Sequence, residues 1–299
     1  MTTDTKISVE NSSVADAAST GNHWVEAIRR LGRNRVATAS FFIFIIICLA
    51  CALAPVITRW NYSDINREVQ LEHPSFEHIF GTDNLGRDVF SRLLYGGRIT
   101  LKIAFVSTLL ATIIGCAIGL PAGYFGGKID SIISPVLDML ASIPVILLVI
   151  VVEIVLGWGY GNFMYALVIA AVPHFARLMR ATVMNIMGYE YIEAARALGV
   201  SHFKIMLRHV MHNAAPPLIV RFTTGVAEAL LTCTIMGYLG IGINPPVPEW
   251  GVIVYAAKAL IRRAPRLLII PCAVIAISVI SLCLFGDGLR DALDPRESQ

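Results

Sequence analysis

Long uncharged stretches, separated by shorter polar ones, dominate the order of residues along this chain. About 20 consecutive apolar residues in a helix cross the hydrocarbon core of a bilayer. Stretches of that length predict six membrane-spanning helices, over residues 36–58, 102–128, 132–156, 163–183, 216–240 and 267–285. The pattern therefore predicts an all-α fold, a polytopic membrane helical bundle with six transmembrane helices.

Composition supports this interpretation and excludes other classes of protein. Of the 299 residues, 56% are hydrophobic and 15% are charged, and the mean hydropathy is +0.68. An average soluble domain has about 45–50% apolar and about 25% charged residues, so a soluble enzyme and a disordered scaffold are excluded. The net charge of +3 is too small for the clustered basic face of a nucleic-acid-binding protein. We expect membrane lipid around the chain and no nucleic-acid partner.

The six cysteines all lie within apolar runs, and none has the spacing of a zinc or redox motif. We interpret them as small apolar residues that pack inside helices. The sequence therefore predicts neither a metal site nor a disulfide framework.

The orientation follows from the basic residues that precede the first span. Residues 1–35 are polar, predict a cytoplasmic tail with a disordered start, and end in four arginines, Arg29, Arg30, Arg33 and Arg35. Basic residues next to the first helix favour the cytoplasmic side. We therefore expect both termini in the cytoplasm, a transmembrane domain over 36–285 and a cytoplasmic C-terminal tail over 286–299.

Two polar segments are too long to be simple turns. One is the outer segment 59–98, and the other is the cytoplasmic segment 184–213. Long loops in a compact protein are commonly functional. In the outer segment, Asp88 and Arg92 have the i,i+4 spacing of a helical ion pair. We expect residues 80–92 to be ordered, with apolar packing supplying most of the stability.

The sequence contains no catalytic motif that we can identify. The stretch Gly126-Gly127-Lys128-Ile129 comes nearest to a P-loop, but its glycine spacing is wrong and Ile129 replaces the hydroxyl that would hold Mg²⁺. We interpret it as a tight turn between the second and third spans. We therefore expect that the chain is not an enzyme and binds no cofactor.

Apart from Arg177 and Arg180 at the cytoplasmic end of the fourth span, four ionisable residues are candidates for a role inside the predicted spans: Asp138, Glu153, Arg221 and Glu228. A charge in the hydrocarbon core costs several kcal/mol. Arg221 and Glu228 are seven residues apart, which places them two turns apart on one helix face. Asp138, Arg221 and Glu228 are candidates for a pore lining or a subunit interface, and a purely structural pairing of Arg221 with Glu228 is the alternative.

Small residues and prolines interrupt several spans. Gly115 and Gly119 form the small-x-x-x-small pattern that lets helices approach closely. Pro144 and Pro173 predict kinks in the third and fourth spans, and backbone groups freed by a kink are tolerated only against protein or water.

The cytoplasmic segment predicts a helix, a tight turn and a second, basic amphipathic helix. Residues 191–198 are mostly strong helix formers, and Gly199 can end that helix in a left-handed conformation. Ser201 can begin the next helix, which continues past Arg208. Such a shape suits a docking element beneath the membrane, whereas an idle interfacial helix is the alternative.

This segment resembles the coupling loop of bacterial ABC importer permeases: Glu193-Ala194-Ala195, three residues, Gly199 and a basic helix. Three more segments, 80–92, 238–251 and 286–296, resemble one subfamily, the dipeptide, oligopeptide and nickel permeases. The first of these segments contains Gly81, Thr82, Asp83, Gly86, Arg87 and Asp88. The resemblance covers about residues 25–296 and is greatest to the second, shorter permease of the pair.

The resemblance implies a type I ABC importer permease in the bacterial cytoplasmic (inner) membrane. Its implied partners are a homologous second permease, two cytoplasmic ATPase subunits that bind ATP and Mg²⁺, and an extracytoplasmic substrate-binding protein. The residues implied in ATPase coupling are Glu193, Ala194, Ala195, Gly199 and Arg208. The implied substrates are dipeptides or longer peptides, with nickel, haem and antimicrobial peptides as alternatives.

One departure from the family pattern affects the coupling segment. The family commonly has Leu-Pro after the basic helix, where this chain has Met211-His212. We expect Asn213 and the Pro216-Pro217 pair to end the helix instead.

The rival function is an ion-gradient-driven secondary transporter. That class of protein predicts inverted repeats, which the sequence does not display. A third alternative, an intramembrane enzyme, would need a nucleophile and a base, and the sequence offers no such constellation.

Overall fold

The computed structural model describes residues 22–243 and 246–293, without the side chains of residues 22–24. Most of the predicted N-terminal tail and residues 294–299 lie outside this range. The first helices are α1 (Asn22–Arg33), α2 (Arg35–Ala52), α3 (Ala54–Ile57), α4 (Val89–Phe125), α5 (Gly127–Ser142), α6 (Val145–Leu156) and α7 (Tyr160–Ile186). The remaining ones are α8 (Glu190–Ala197), α9 (His202–Lys204), a π-helical turn (Ile205–Val210), α10 (Met211–Tyr238), α11 (Trp250–Lys258) and α12 (Arg266–Leu293).

Five helical segments are long and apolar enough to cross a membrane, and a sixth crossing results when α5 and α6 are taken together. The prediction of six spans is thereby confirmed, but the third span is not straight. Its two helices meet at an angle of 97°. The cause is Pro144, because a proline restricts the preceding residue to extended conformations and Ile143 has φ −83° and ψ 128°.

Two helices extend into segments that were predicted as the outer loop and the C-terminal tail. Helix α4 begins at Val89, ten residues inside the segment predicted as outer loop, because a helix that extends beyond the hydrocarbon tolerates charged residues. Helix α12 continues to Leu293, so most of the predicted C-terminal tail is helical; Gly286 and Gly288 pack against Thr223 and Ala37 there.

The Pro216-Pro217 pair does not end the cytoplasmic helix, because both residues lie inside α10. A proline removes a backbone hydrogen bond and bends a helix, but packing against neighbouring helices can keep the helix continuous. Pro173 likewise lies inside the continuous helix α7. Asn213 does not end the helix either: its amide donates to the carbonyl of His209 and to the Tyr191 hydroxyl.

Helices α4 and α7 pack closely along a row of glycines. A Cβ atom on Gly115 would lie 2.6 Å from Phe175 Cβ, and one on Gly119 would lie 2.3 Å from the carbonyl oxygen of Ala176. Gly123 continues the row one turn further on. The predicted close approach at Gly115 and Gly119 is confirmed, and it creates the rigid base from which the cytoplasmic segment projects.

We predict that Gly119→Ala lowers the free energy of unfolding by about 1–3 kcal/mol, the usual cost of overpacking. The added methyl group would contact a backbone oxygen, which cannot move aside without shifting α7. Thermal unfolding of the purified protein in detergent measures the effect. Gly161→Ala is the matched control, because nothing lies within 4 Å of its Cβ position; equal melting temperatures for the two variants would contradict the prediction.

Candidate functional site

The cytoplasmic segment ends its first helix in a tightly defined turn. The N–H of Gly199 donates to the carbonyl of Arg196 at 2.9 Å, and the N–H of Val200 donates to the carbonyl of Ala195 at 3.1 Å. This is the Schellman arrangement, which needs a left-handed residue after the helix. Gly199 supplies it with φ +75°, as the sequence predicts.

The exposed side of α8 differs from the prediction. Glu193 and Ala194 are exposed, but Ala195 is buried with Ile192 in the chain's own core. Ala195 therefore holds α8 to the membrane domain and is not free for a partner. Exposed apolar side chains follow at Leu198, which is 83% exposed, and at Phe203, which is 68% exposed.

Aromatic contacts fix this segment to the cytoplasmic end of α4. The Tyr124 hydroxyl lies 2.8 Å from His202 Nδ1, and the Arg196 guanidinium lies 5.4 Å from the centre of the Tyr124 ring. Such cation–π contacts contribute about 0.5–1 kcal/mol at exposed sites. The segment is therefore positioned by its own chain before any partner binds.

The second helix of the segment is longer than predicted, because it continues through a π-helical turn into α10. Ser201 precedes α9, but its side chain makes no capping hydrogen bond. Arg208 is exposed and belongs to the π-helical turn, which leads directly into α10. π-Helical turns occur frequently at functional sites. Arg208 is thus connected directly to a membrane-spanning helix, a connection that the amphipathic sequence pattern does not reveal.

The outer motif forms a compact cap before α4. Asp83 accepts hydrogen bonds from the N–H groups of Leu85 and Arg87 at 2.8 and 3.0 Å, and its carboxylate pairs with the Arg87 side chain at 2.8 Å. Thr82 binds backbone groups of the preceding loop. Gly81 and Gly86 provide the positive φ angles of the two turns.

The predicted ion pair between Asp88 and Arg92 does not form. Asp88 instead caps α4 by accepting from the N–H of Ser91 at 2.7 Å, and its other oxygen lies 2.9 Å from His78 Nδ1. Arg92 turns toward Asp83, at 3.6 Å. A side chain at the N-cap position faces the helix end, so Asp88 is not available to the residue one turn along. His78 was not predicted, because nothing nearby in sequence indicates its partner.

A buried carboxylate that the sequence analysis overlooked, Glu249, joins three helices at the outer side. Glu249 is 1% exposed and caps α11, since its Oε2 accepts from the N–H of Val252 at 3.0 Å. Its Oε1 lies 3.0 Å from Thr100 Oγ1 on α4 and 3.7 Å from Cys233 Sγ on α10. Burial raises the pKa of Glu249 even though several groups donate to it.

The hydrogen bonds around Thr100 are consistent with a protonated Glu249. Thr100 Oγ1 lies 3.0 Å from the carbonyl of Gly96 and also accepts from the N–H of Trp250 at 3.2 Å. A hydroxyl has a single hydrogen. When Thr100 donates that hydrogen to the carbonyl of Gly96, a hydrogen bond between Thr100 Oγ1 and Glu249 Oε1 can form only if the carboxyl group of Glu249 is protonated and donates.

We predict that Glu249→Gln preserves folding, because the Gln amide can donate to Thr100 in place of the acid proton. Glu249→Ala leaves buried N–H groups without acceptors, at about 1–3 kcal/mol each. A raised folded-state pKa stabilises the fold at low pH and loses that contribution as pH rises. We therefore expect that, as the pH rises from 5 to 8, the melting temperature of the Gln variant increases relative to that of the original chain. A constant difference would contradict the prediction.

Three of the four ionisable residues that were candidates within the spans form ion pairs, and Glu153 does not. Both guanidinium nitrogens of Arg221 donate to Glu228, at 2.8 and 2.9 Å, and Arg177 lies 3.3 Å from Asp138. Glu153 is fully buried, and neither of its oxygens has a hydrogen-bond partner among the described residues. Arg221 and Glu228 thus lie on one helix face, as predicted, and form the pair that the sequence leaves open as an alternative, whereas Asp138 belongs to a different pair.

Two family models match the chain. The model described as binding-protein-dependent transport system inner membrane component matches residues 115–299, and the model of the N-terminal TM domain of oligopeptide transport permease C matches residues 22–74. The chain is 38% identical over 273 residues to the dipeptide transport system permease protein DppC of Alkalihalophilus pseudofirmus, which covers 91% of this chain and 90% of that protein.

A second curated relative is the glutathione transport system permease protein GsiD of Pectobacterium atrosepticum, which is 38% identical over 277 residues with 91% of each chain covered. Among solved structures, the MetNI methionine ABC transporter in an inward-facing conformation has the same fold, with a TM-score of 0.55 and 23% identity. That similarity covers 68% of this chain and 96% of that chain. The chain therefore belongs to the family of inner-membrane permease components of binding-protein-dependent ABC transport systems, and it is a transport subunit rather than an enzyme.

Proposed function

We propose that this chain is one of two permeases in an ATP-driven importer of peptides. It forms the translocation path with a homologous permease, receives substrate from an extracytoplasmic binding protein and contacts two cytoplasmic ATPase subunits, which bind ATP and Mg²⁺. The names of the relatives, which include dipeptide and glutathione permeases, support a peptide substrate. Nickel, haem and antimicrobial peptides remain the alternatives for the same type of complex.

The exposed cytoplasmic segment is the single observation that carries the proposal. Glu193 projects from α8 into solvent, and Leu198 is almost fully exposed at the turn. An exposed leucine beside a carboxylate provides an apolar anchor and a charge-assisted hydrogen bond for a protein partner. Because the Schellman turn and Tyr124 hold the segment rigidly, a displacement of a bound ATPase is transmitted to α4 and α10.

We predict that Glu193→Lys and Leu198→Asp each abolish copurification of the ATPase subunits and reduce ATP-dependent uptake at least tenfold. The first variant reverses the charge that meets the ATPase, and the second places a charge in the apolar contact. Lys128→Glu is the matched control, since Lys128 is exposed at the other predicted cytoplasmic turn.

Gly199→Val tests the geometry of the same turn. A β-branched residue is strained at φ +75°, although the space around Gly199 is open. Normal uptake and normal ATPase association in a Glu193→Lys, Gly199→Val double variant would refute the coupling role.

We predict that the purified chain alone binds no nucleotide and transports nothing in liposomes. Activity should appear only when the second permease, the ATPases and the binding protein are reconstituted with it. Transport is measured as the uptake of radiolabelled peptide into liposomes. The positive control is the complete complex in liposomes that enclose ATP. Uptake by the single chain under a proton or sodium gradient would instead favour the secondary transporter.

A further inference from the structure

The ion pair between Arg221 and Glu228 lies on an open face of a membrane-spanning helix. Both residues belong to α10, and the Glu228 side chain is 61% exposed while that of Arg221 is 24% exposed. The guanidinium and carboxylate form a bidentate fork. Exposed charges of this kind are not stable against lipid tails, so this face of α10 requires water or another polar surface.

A structural role explains this pair poorly. Both partners lie on one helix, so their contact joins no two elements of the fold. Intrahelical pairs on exposed faces add little to stability, less than the cost of placing two charges in a membrane span. The pair therefore calls for a function beyond stability.

The pair borders two cavities. Arg221 and Glu228 line a small, mostly apolar cavity whose polar positions are Ser107, Thr108, His174 and Thr232. Arg221 also lines a larger, open cavity of about 420 Å³, whose walls include Thr224, Asp287 and Arg290. The Phe175 ring lies 5.6 Å below the Arg221 guanidinium and supports it from the apolar side. The fork thus lies where two solvent-accessible spaces meet.

We propose that Arg221 and Glu228 form a transit site for a small zwitterion, in which Arg221 binds the carboxylate and Glu228 binds the ammonium group. The inference rests on the proposed function, because it assumes that this face of α10 lines the path. Binding opens one ion pair and forms two, so no charge is left without a partner. Seven helical residues span about 10.5 Å, and an extended dipeptide or tripeptide spans about 7–10 Å.

The charges of the site disfavour a metal ion. The guanidinium of Arg221 would repel a divalent cation from Glu228, 2.8 Å away. Within residues 22–243 and 246–293, no group of three His, Cys, Asp or Glu residues is arranged to hold a metal ion. The geometry matches a ligand with one positive and one negative end.

Dialanine binding to the assembled complex tests the proposal. The two permeases with their ATPases are placed in lipid nanodiscs without the binding protein, and dialanine is titrated by saturation-transfer NMR. We expect N-acetyl-dialanine and dialanine amide, which each lack one charge, to bind at least tenfold more weakly, since a hydrogen bond to a charged group contributes about 1.5–3 kcal/mol. This comparison needs no variant.

The Arg221→Gln, Glu228→Gln double variant separates substrate binding from structural pairing. The two amides can still hydrogen-bond to each other, so a structural pair predicts unchanged dialanine affinity, whereas a transit site predicts at least a tenfold loss. The Glu26→Gln, Arg30→Gln variant removes a comparable exposed pair from α1 and should bind dialanine normally.

Three results would overturn the transit site: no dialanine binding by the original complex, equal binding of the blocked peptides, or full binding by the double variant. Copurification and basal ATP hydrolysis are measured on every sample. A chain that fails to associate with the ATPases at all would refute the proposed function itself, which distinguishes the two failures.

Discussion

A hydrocarbon layer provides no hydrogen-bond partners, and this constraint determines where polar groups lie in the permease. Within the spans, charges are held in pairs such as Asp130 with Arg180, which joins α5 to α7, or are removed from lipid by burial, as at Glu153. At the outer side, Glu249 is surrounded by donors from α4, α10 and α11. The arrangement of the helices follows from these polar contacts as much as from apolar packing.

The ends of the helices connect the cytoplasmic segment to the membrane bundle. The glycine row brings α4 against α7 at backbone distance, and the same helix α4 carries the outer cap at its start and Tyr124 at its cytoplasmic end. The cytoplasmic segment continues through the π-helical turn into α10. Only the short turn at residues 198–201 therefore separates α8 from the continuous helical stretch that carries Arg221.

Local features of this fold could be predicted from the sequence, and long-range ones could not. The close approach at Gly119 and the left-handed conformation of Gly199 follow from residue type and spacing alone. The partners of His78 and Glu249 come close only through the tertiary fold. The hydrophobic periodicity of the sequence therefore does not indicate them. The burial of Ala195 depends on which side of α8 packs against the membrane domain. The helical pattern has small residues on two sides, so the sequence alone does not determine that side.

The carboxylates of this chain differ in their hydrogen-bond partners, and therefore in whether they can bind a ligand. Glu249 is buried among partners from its own backbone and from neighbouring side chains, so exchanging any of them for a ligand would leave a buried group without a partner. Glu228 has a single cationic partner among the described residues, and its side chain is 61% exposed. A ligand ammonium can replace that partner while the ligand carboxylate takes the released guanidinium, with no change in net charge. Reversible binding along a transport path requires this kind of exchange, because a site that bound more strongly would retain its substrate.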